Sequence, residues 1–430
     1  MTRGARPRSP DQGRFMIWFL GGYMWLYVHR PFEYYGLLGE LQFERVYMFV
    51  MLAFWVVSPA KGLLPNRLHL ALALFTVAMI VCWAASPWRD KGYDTLENYL
   101  KVMVFYALVV TTVRDERGLR KLVALYLVAV GLYMGHSTLE YLNGRYEWRQ
   151  GIRRMIGVDV TYYDPNAFAS TLLLSLPLTL PFWAEARNWR ARLPLLAYTG
   201  SACTCILLTG SRSGFMGLCL FGACCLFLSR YRLRALVLAP VAVAVLVCAL
   251  PGYLAERFLT IVDSSHGPSI AQASAMGRLA GFVEGMRLWG DNLLLGVGPG
   301  AFRLATSGGF NSHNVYGQVG GELGVLGVAA FVSLLVCFFT NWLAARRPYR
   351  ARASQPRDFP FHVSRAVAVT VLLLMFTGWA GHNLYRYNWV WLAAFQAIAL
   401  HCVRTRGGRV SAPAAPPRPA RLAWQPARAG

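Results

Sequence analysis

Apolar blocks recur along almost the whole chain, and they restrict the possible folds more than any other feature. Most are roughly 16–22 residues long, the length that a helix needs to cross ~30 Å of bilayer hydrocarbon. Hydrophobic residues make up 56% of the 430 residues, whereas soluble domains average about 45–50%. The sequence therefore predicts an all-α polytopic membrane protein and argues against a soluble multi-domain protein.

Twelve blocks are candidate transmembrane helices, and the large polar segment after the ninth is expected to contain short amphipathic helices. The tenth block is too long for one straight span, so we expect it to start with a tilted or re-entrant turn. Arginines precede the first block and no small-residue cleavage site follows it, which predicts an uncleaved first span rather than a removed signal peptide. The candidate spans are 15–30, 43–58, 68–86, 98–113, 119–136, 166–184, 193–209, 213–229, 233–251, 315–345, 364–382 and 387–402.

The Lys and Arg residues predict the orientation of these spans. Cytoplasmic loops carry an excess of basic residues, and a cytoplasmic N-terminus places 28 of the 43 Lys and Arg residues inside. The net charge of +23 then follows from topology, with anionic headgroups rather than nucleic acid as contacts. The predicted organisation is a cytoplasmic tail (1–14), nine spans (15–251) with an outer loop (137–165), a large outer loop (252–314), three spans (315–402) and a disordered cytoplasmic tail (403–430).

The polar segment 252–314 is the longest stretch that cannot lie inside a bilayer, and we interpret it as an exposed working surface. Arg278 precedes apolar residues at helical spacing, which predicts an amphipathic helix on the membrane or on the bundle. Gly296, Gly298 and Gly300 form a turn whose N–H groups could approach a phosphate, although such a turn alone is a weak signal. The apolar residues of the helix are Leu279, Phe282, Val283, Met286 and Trp289.

His313 is the last ionisable residue of this segment and lies just before the tenth span. An ionisable residue at that boundary is a candidate functional residue, because a neutral imidazole can take a proton from a sugar hydroxyl. A histidine hydrogen-bonded at a helix start is an equally good interpretation. His382, close to Asn383, Tyr385 and Arg386, is a second and weaker candidate.

Arginines on the outer side run against the positive-inside trend, which indicates an anionic ligand because Arg binds phosphate oxygens bidentately. A solvated or headgroup-contacting loop still explains any single one of them. Arg212 lies in a short turn between two apolar helices, where an isolated Arg costs up to about 2.5–3.5 kcal/mol, and we favour a functional role for it. The arginines of the loop 137–165 are Arg145, Arg149, Arg153 and Arg154.

Other motifs limit the chemistry further. Asp164, Pro165 and Asn166 predict a helix N-cap at the start of the sixth span. The outer segments contain few carboxylates and no metal-ligand motif, and the chain has no GxxxxGK[ST] loop, so no metal ion or other cofactor is expected. All nine cysteines lie in or at the end of apolar blocks, which predicts packing residues rather than disulfides.

These motifs together resemble the O-antigen ligase/polymerase superfamily of bacterial inner-membrane glycan transferases, which are GT-C-type membrane glycosyltransferases. The likeness covers most of the chain, and the span count and the large loop before the tenth span agree with it. The matching pieces are Asp164-Pro165-Asn166-Ala167-Phe168-Ala169, Ser211-Arg212, Arg278 followed by Trp289, the Gly296–Gly300 turn, and His313-Asn314 followed by Glu322-Leu323-Gly324.

The resemblance implies an inverting, metal-independent glycosyltransferase with its active site on the periplasmic face of the inner membrane, in which 252–314 is the catalytic loop. It would transfer an O-antigen polysaccharide from undecaprenyl diphosphate to lipid A–core in lipopolysaccharide biosynthesis. Arg212 and Arg278 would hold the diphosphate, and His313 would activate the acceptor hydroxyl or position the leaving group. Further phosphate candidates are Arg153, Arg154 and Arg386, and supporting candidates are Asp164, Asn166, Asn314 and Tyr385.

Other functions remain open at this point. Within the superfamily, a polymerase that joins carrier-linked repeat units, or an oligosaccharyltransferase that moves glycan to protein, fits the same motifs. A transporter of an anionic lipid-linked glycan would instead show charged residues near the middle of the spans and repeated helices. The polar residues here gather at the outer ends of the spans, which favours an enzyme.

Overall fold

A computed structural model describes residues 10–58, 61–149, 151–161, 163–229, 252–259, 269–306, 308–309, 312–349 and 357–410. These residues form a helical bundle with one short β-hairpin. The prediction of a helical fold is confirmed, whereas no sequence pattern predicted the hairpin. Of the predicted tails, 1–14 and 403–430, residues 1–9 and 411–430 lie outside the described residues, as does the ninth predicted span, 233–251, whereas helices occupy 10–14 and 403–410.

The secondary structure follows the apolar blocks, with short helices in the connections. Before the hairpin lie α1 (Pro10–His29), α2 (Pro31–Tyr34), α3 (Gly36–Glu40), α4 (Phe43–Val57), α5 (Arg67–Ala85), α6 (Arg89–Thr112) and α7 (Glu116–Leu142). Strands β1 (Glu147–Arg149) and β2 (Ile152–Arg154) are antiparallel. After them come α8 (Pro165–Ser175), a 3₁₀ turn (Leu176–Thr179), α9 (Leu180–Glu185), α10 (Trp189–Leu208), α11 (Arg212–Leu228), α12 (Gly252–Leu259), α13 (Ser269–Asp291), α14 (Phe302–Ala305), α15 (Val315–Arg346) with a 3₁₀ turn (Arg347–Tyr349), α16 (Phe359–Gly378) and α17 (Tyr387–Val410).

Six stretches of the described residues are long and apolar enough to cross a membrane. They are Arg67–Ala85, Glu116–Leu142, Pro165–Glu185, Trp189–Leu208, Val315–Tyr349 and Phe359–Gly378. The protein is therefore a multi-pass membrane protein. Helices also lie at the other predicted spans within the described ranges, but α1, α4, α6 and α17 do not meet this criterion and α11 is a shorter apolar helix.

The core of the bundle surrounds α17. Its residues from Trp389 to Val403 are almost all buried, and the helix packs against α15, α16 and α6. On α4 and α5, by contrast, large apolar side chains such as Phe49, Val57 and Leu70 are exposed. Contiguous exposed apolar surface of this kind is expected where a membrane protein contacts lipid.

Several helix boundaries differ from the predicted spans and bring polar residues together. Helix α7 continues to Leu142 and is followed by the hairpin, so the loop 137–165 is largely ordered structure. Helix α16 ends at Gly378 rather than at 382, because the chain leaves the helix at Trp379. Residues 379–386 therefore form a connecting segment that carries His382 and Arg386. Helix α8 begins as predicted, with the Asp164 carboxylate accepting from the N–H groups of Asn166 and Ala167.

Helix α15 is broken at Gly324, which has φ 60° and ψ −158°, a conformation that glycine adopts at low cost. The preceding connection, residues 293–298, is inserted at the break. Val297 N and Gly298 N donate to Gly321 O and Glu322 O at 2.9 and 2.8 Å, and Val325 N and Leu326 N donate to Leu293 O and Leu294 O at 2.9 and 3.2 Å. The sequence predicted a tilted or re-entrant turn at the start of the tenth span; the structure has a break inside the helix, and the backbone groups at the break are paired.

Helix α13 packs against the first part of α15 through glycines. A side chain at Gly281 would overlap the carbonyl of Ser312, and one at Gly285 would meet the backbone of Gly317. The apolar stripe predicted for this helix is divided: Phe282 contacts the ring of Trp379 and Trp289 lies over Gly320, whereas Leu279 and Val283 are exposed. Close backbone contact therefore fixes Arg278 relative to His313.

Candidate functional site

A cavity of about 580 Å³ lies where the ends of several helices meet the hairpin. We call this end of the bundle the cavity end. The wall combines cationic side chains, two histidines, hydroxyl groups and amides with few apolar side chains. Its lining residues are Arg149, Thr161, Asp164, Asn166, Ala167, Ser170, Ser213, Gly214, Gly277, Arg278, His313, Thr377, Ala380, Gly381, His382, Asn383 and Arg386.

The cavity brings together residues that are more than 200 positions apart in the sequence. Arg278, His313, Asp164, Asn166 and Arg386, all predicted as site residues, line it. Arg212 is not among the lining residues but begins α11 beside Ser213 and Gly214, which are. Its charge acts on Arg278, whose pKa is lowered first by burial and then by Arg212. Arg212 therefore acts electrostatically on a residue of the cavity wall, although its own side chain is not part of that wall.

A hydrogen-bonded turn positions Arg212. The hydroxyl of Ser211 accepts from Gly214 N at 3.2 Å, which caps α11, and donates to Asn166 Oδ1 at 2.8 Å. The same amide oxygen accepts from Arg154 Nη2 at 3.1 Å, and Arg154 Nε donates to Thr209 O at 2.7 Å. Arg154 is only 2% exposed. It supports the turn that carries Arg212, and its side chain does not line the cavity.

The strand register places Arg153 on the other face of the hairpin. Successive strand residues point to opposite faces, so Arg153 shares a face with its partner Trp148. Both side chains are exposed, and the guanidinium of Arg153 lies 5.4 Å from the ring centre of Tyr146. The prediction of a phosphate contact for Arg153 therefore has no support, because the residue lies outside the cavity wall. Arg149, on the opposite face, is the arginine of this loop that lines the cavity.

Arg257 is a neighbour of the site that sequence reasoning did not select. It lies on α12, and its Nε donates to Gly210 O at 2.6 Å. Burial first, and then the charges of Arg154, Arg212, Arg149 and Arg278, lower its pKa to about 10. No local motif marks this residue, because its relation to Arg212 depends on how α12 packs against α11.

The two histidines of the cavity face each other. The ring centres of His313 and His382 are 4.8 Å apart. Desolvation and then the charge of Arg278 lower the pKa of His313, while Asp164 opposes this shift. Burial lowers the pKa of His382 to about 4, with further contributions from His313 and Arg386. Both imidazoles are therefore neutral at physiological pH, the form in which a histidine can accept a proton.

Local backbone geometry holds His313 at the start of α15. The residue has φ 40°, a left-handed conformation that is uncommon for residues other than glycine. The next residue, Asn314, caps α15 by accepting from Tyr316 N and Gly317 N, and its Nδ2 donates to Trp379 O at 3.2 Å. Asn314 is buried and does not line the cavity, so its contribution is structural.

Tyr385 and the glycine-rich turn are also structural. The hydroxyl of Tyr385 donates to Glu322 Oε2 at 2.6 Å, and neither residue lines the cavity. The backbone N–H of Gly300 donates to the same carboxylate at 3.0 Å. Because the N–H groups of Val297 and Gly298 also bind α15, the turn does not present them to a phosphate.

The remaining side-chain geometry gives the electrostatic character of the cavity. Asp164 Oδ2 lies 3.6 Å from Arg149 Nη1, and Arg386 Nη2 donates to Thr171 Oγ1 at 2.9 Å. Asp164 is the single carboxylate among the described residues of the wall, against three arginines. Within the described ranges, no group of three or more His, Cys, Asp or Glu side chains is arranged to hold a metal ion. The wall thus suits an anionic ligand.

Comparison with known proteins agrees with this geometry. Residues 197–332, less than half of the chain, match the family model described as O-antigen ligase. The matched segment contains Arg212, Arg278 and His313. No curated protein matches the chain. The family match confirms the resemblance to the O-antigen ligase superfamily and indicates a glycosyltransferase-type membrane enzyme.

Proposed function

We propose that the protein is an inverting, metal-independent glycosyltransferase that transfers O-antigen polysaccharide from undecaprenyl diphosphate to lipid A–core. The observation that carries this proposal is the shared cavity, whose wall contains both Arg278 and His313 and adjoins the start of α11, where Arg212 lies. Positive groups for a diphosphate and a neutral base for a hydroxyl are the two requirements of the reaction. The match of 197–332 to the O-antigen ligase family supports the same substrate class.

In the proposed reaction, the acceptor hydroxyl attacks the anomeric carbon from the side opposite to the diphosphate, which inverts that carbon. The new C–O bond forms as the bond to the diphosphate oxygen breaks, and the hydroxyl proton passes to the neutral imidazole of His313. Arg278 and Arg212 stabilise the charge that develops on the leaving diphosphate, as fixed guanidinium groups can do without a metal ion. His382 and Arg386 complete the wall behind His313.

We further propose that the cavity end is periplasmic and that the membrane is the bacterial inner membrane. This orientation places most Lys and Arg residues of the chain on the cytoplasmic side, as the positive-inside rule expects. It also presents the cavity to a carrier-linked glycan and to lipid A–core from the same side.

A polymerase of carrier-linked repeat units and a protein O-oligosaccharyltransferase are the second candidates, because either would use the same donor cavity. They differ in the acceptor, which the family match does not specify. A lipid-linked glycan transporter is less well supported, since the cationic residues surround a cavity at the helix ends.

The test is a transfer assay with purified protein and a lipid-linked glycan donor, offering in separate reactions lipid A–core, a second carrier-linked unit or an acceptor peptide. We expect product with lipid A–core only, and product with either of the others alone would overturn the ligase assignment. His313→Ala should abolish transfer, and Arg278→Ala should leave only residual transfer. Arg303→Ala is the matched control, because Arg303 is an exposed arginine of the same polar segment that does not line the cavity.

The same variants can be examined in cells. In a strain that lacks this gene, wild-type protein should restore long-chain lipopolysaccharide on a gel and His313→Ala should not. Normal lipopolysaccharide with His313→Ala at wild-type protein level would remove His313 from the mechanism.

A further inference from the structure

Glu33 makes an unusual set of contacts for a residue outside the cavity. It lies on α2, and its carboxylate accepts from two consecutive backbone groups, Val160 N at 2.8 Å and Thr161 N at 2.9 Å. The hydroxyl of Thr161 donates to Oε1 at 2.5 Å, and Arg30 Nε donates to the same oxygen at 2.5 Å. A carboxylate accepts about four hydrogen bonds, so this one is saturated.

The strip that Glu33 holds, residues 158–161, is fixed from its other side by α7 and the segment that follows it. Ser137 Oγ accepts from Val158 N at 3.1 Å, and Arg145 Nη1 donates to Val158 O at 2.9 Å. The buried carboxylate of Asp159 accepts from the hydroxyl of Tyr133 at 2.5 Å. Glu33 thus joins the strip to the first helices of the chain.

The strip leads directly into the cavity wall. Thr161, bound by Glu33, lines the cavity, and so does Asp164 three residues later. Asp164 caps α8 and faces Arg149. Its charge also acts on His313 and His382. A displacement of the strip would therefore move both a hydroxyl and the carboxylate of the wall.

We propose that Glu33 is a positioning residue for the reaction, which holds residues 160–161 so that Thr161 and Asp164 keep their places in the cavity wall opposite His313. This inference rests on the proposed function. Arg30 supports the arrangement by neutralising the carboxylate at the surface of the protein. Glu33 acts through the strip and does not itself line the cavity.

The test compares Glu33→Ala and Glu33→Gln in the transfer assay across a range of pH. Glu33→Ala removes every acceptor, and we expect kcat/KM to fall about 10- to 100-fold, since a displacement of ~1 Å can cost about 100-fold. Glu33→Gln keeps an amide oxygen that can accept from Val160 N and Thr161 N, and it should retain most of the activity. Glu40→Ala is the matched control, because Glu40 is an exposed carboxylate close by in the sequence.

The pH profile distinguishes positioning from a general loss of stability. Asp164 raises the pKa of His313, so moving Asp164 away lowers that pKa and shifts the acid limb of kcat/KM to lower pH. Asp164→Asn should produce the same shift, and Glu33→Ala should add little to it in the double variant. The charged and titratable groups around His313 are Arg278, Asp164, Arg149, His382 and Arg386.

Glu33→Ala with wild-type activity and an unshifted acid limb would overturn the proposal. The proposal would also be overturned if Glu33→Ala lost activity without shifting the acid limb of the pH profile, and if this loss added fully to the loss caused by Asp164→Asn in the double variant. Absence of glycosyl transfer by the wild-type protein would instead overturn the proposed function, so the two failures are distinguishable.

Discussion

Replacing Arg154 by methionine tests whether this guanidinium supports the Arg212 turn or binds substrate. Its two hydrogen bonds, to Thr209 O and Asn166 Oδ1, involve a charged donor and contribute about 3–6 kcal/mol together. Burial, the largest contribution, opposes these bonds: together with the nearby charges it lowers the pKa of Arg154 to about 10, which disfavours the charged form by about 3 kcal/mol. The net contribution of the Arg154 side chain to stability is therefore close to zero or modestly favourable as long as both acceptors are in place.

The variant keeps most of the apolar volume but removes both donors. Asn166 Oδ1 retains the hydroxyl of Ser211, whereas the carbonyl of Thr209 loses the donor from Arg154. An unsatisfied buried carbonyl costs about 1–3 kcal/mol, so we expect a net destabilisation of about 2 kcal/mol. The turn before Arg212 also relaxes, and a displacement of ~1 Å should lower kcat/KM about 100-fold.

Thermal unfolding in detergent and the transfer assay measure the two effects. Arg154→Met should lower Tm by a few degrees and lose most activity. Arg153→Met is the matched control, because the neighbouring side chain lies on the exposed face of the hairpin, and it should change neither quantity. The reasoning is refuted if Arg153→Met loses as much activity as Arg154→Met, or if Arg154→Met loses donor binding while Tm is unchanged.

Three further predictions follow from the site and the packing. Because desolvation and Arg278 lower the pKa of His313, the fall of kcat/KM on the acid side of the pH profile should occur below the ordinary histidine pKa of about 6.5. Arg278→Gln should move this acid limb of the residual activity to higher pH, and an unmoved acid limb would exclude His313 as the titrating base. Gly281→Ala should lower Tm because the added methyl group would overlap the Ser312 carbonyl. In the control Gly290→Ala on the same helix, the added methyl group meets no atom within 4 Å, so stability should be unchanged or should rise by up to about 1 kcal/mol. Equal effects of the two substitutions would contradict the packing of α13. Excess chelator should leave glycosyl transfer unchanged, and a loss of activity that added Mg²⁺ restores would contradict the metal-independent mechanism.

Much of this architecture could be predicted because long apolar blocks and helix caps are local signals. The Asp164 cap of α8 was predicted from a short stretch of sequence, and the length of the tenth block indicated that it is not one straight helix, although not that the break lies at Gly324. His313 was selected because an ionisable residue at the edge of an apolar span is a candidate functional residue, and Arg278 was selected through the resemblance to the O-antigen ligase superfamily. The structure places these two in one cavity, and their roles stay proposals.

The residues that sequence reasoning missed depend on tertiary contacts. Arg257 reaches the site only through the packing of α12 on the Gly210 turn. Glu33 binds a strip about 130 residues further along the chain. Arg153 and Arg154 could not be separated, because each strand has only three residues and so short a segment shows no readable alternation.

The inserted connection at Gly324 has a consequence for biogenesis. Without residues 293–298, the break would leave the Gly321 and Glu322 carbonyls and the Val325 and Leu326 N–H groups without these partners, in a helix apolar enough to cross a membrane, where unpaired backbone groups are costly. We therefore expect the last part of the polar segment to dock before this helix reaches its final form. In a chimera of this protein and a related chain, residues 293–326 should come from one parent as a block. A junction within 293–326 would combine two halves of one hydrogen-bonded unit from different parents.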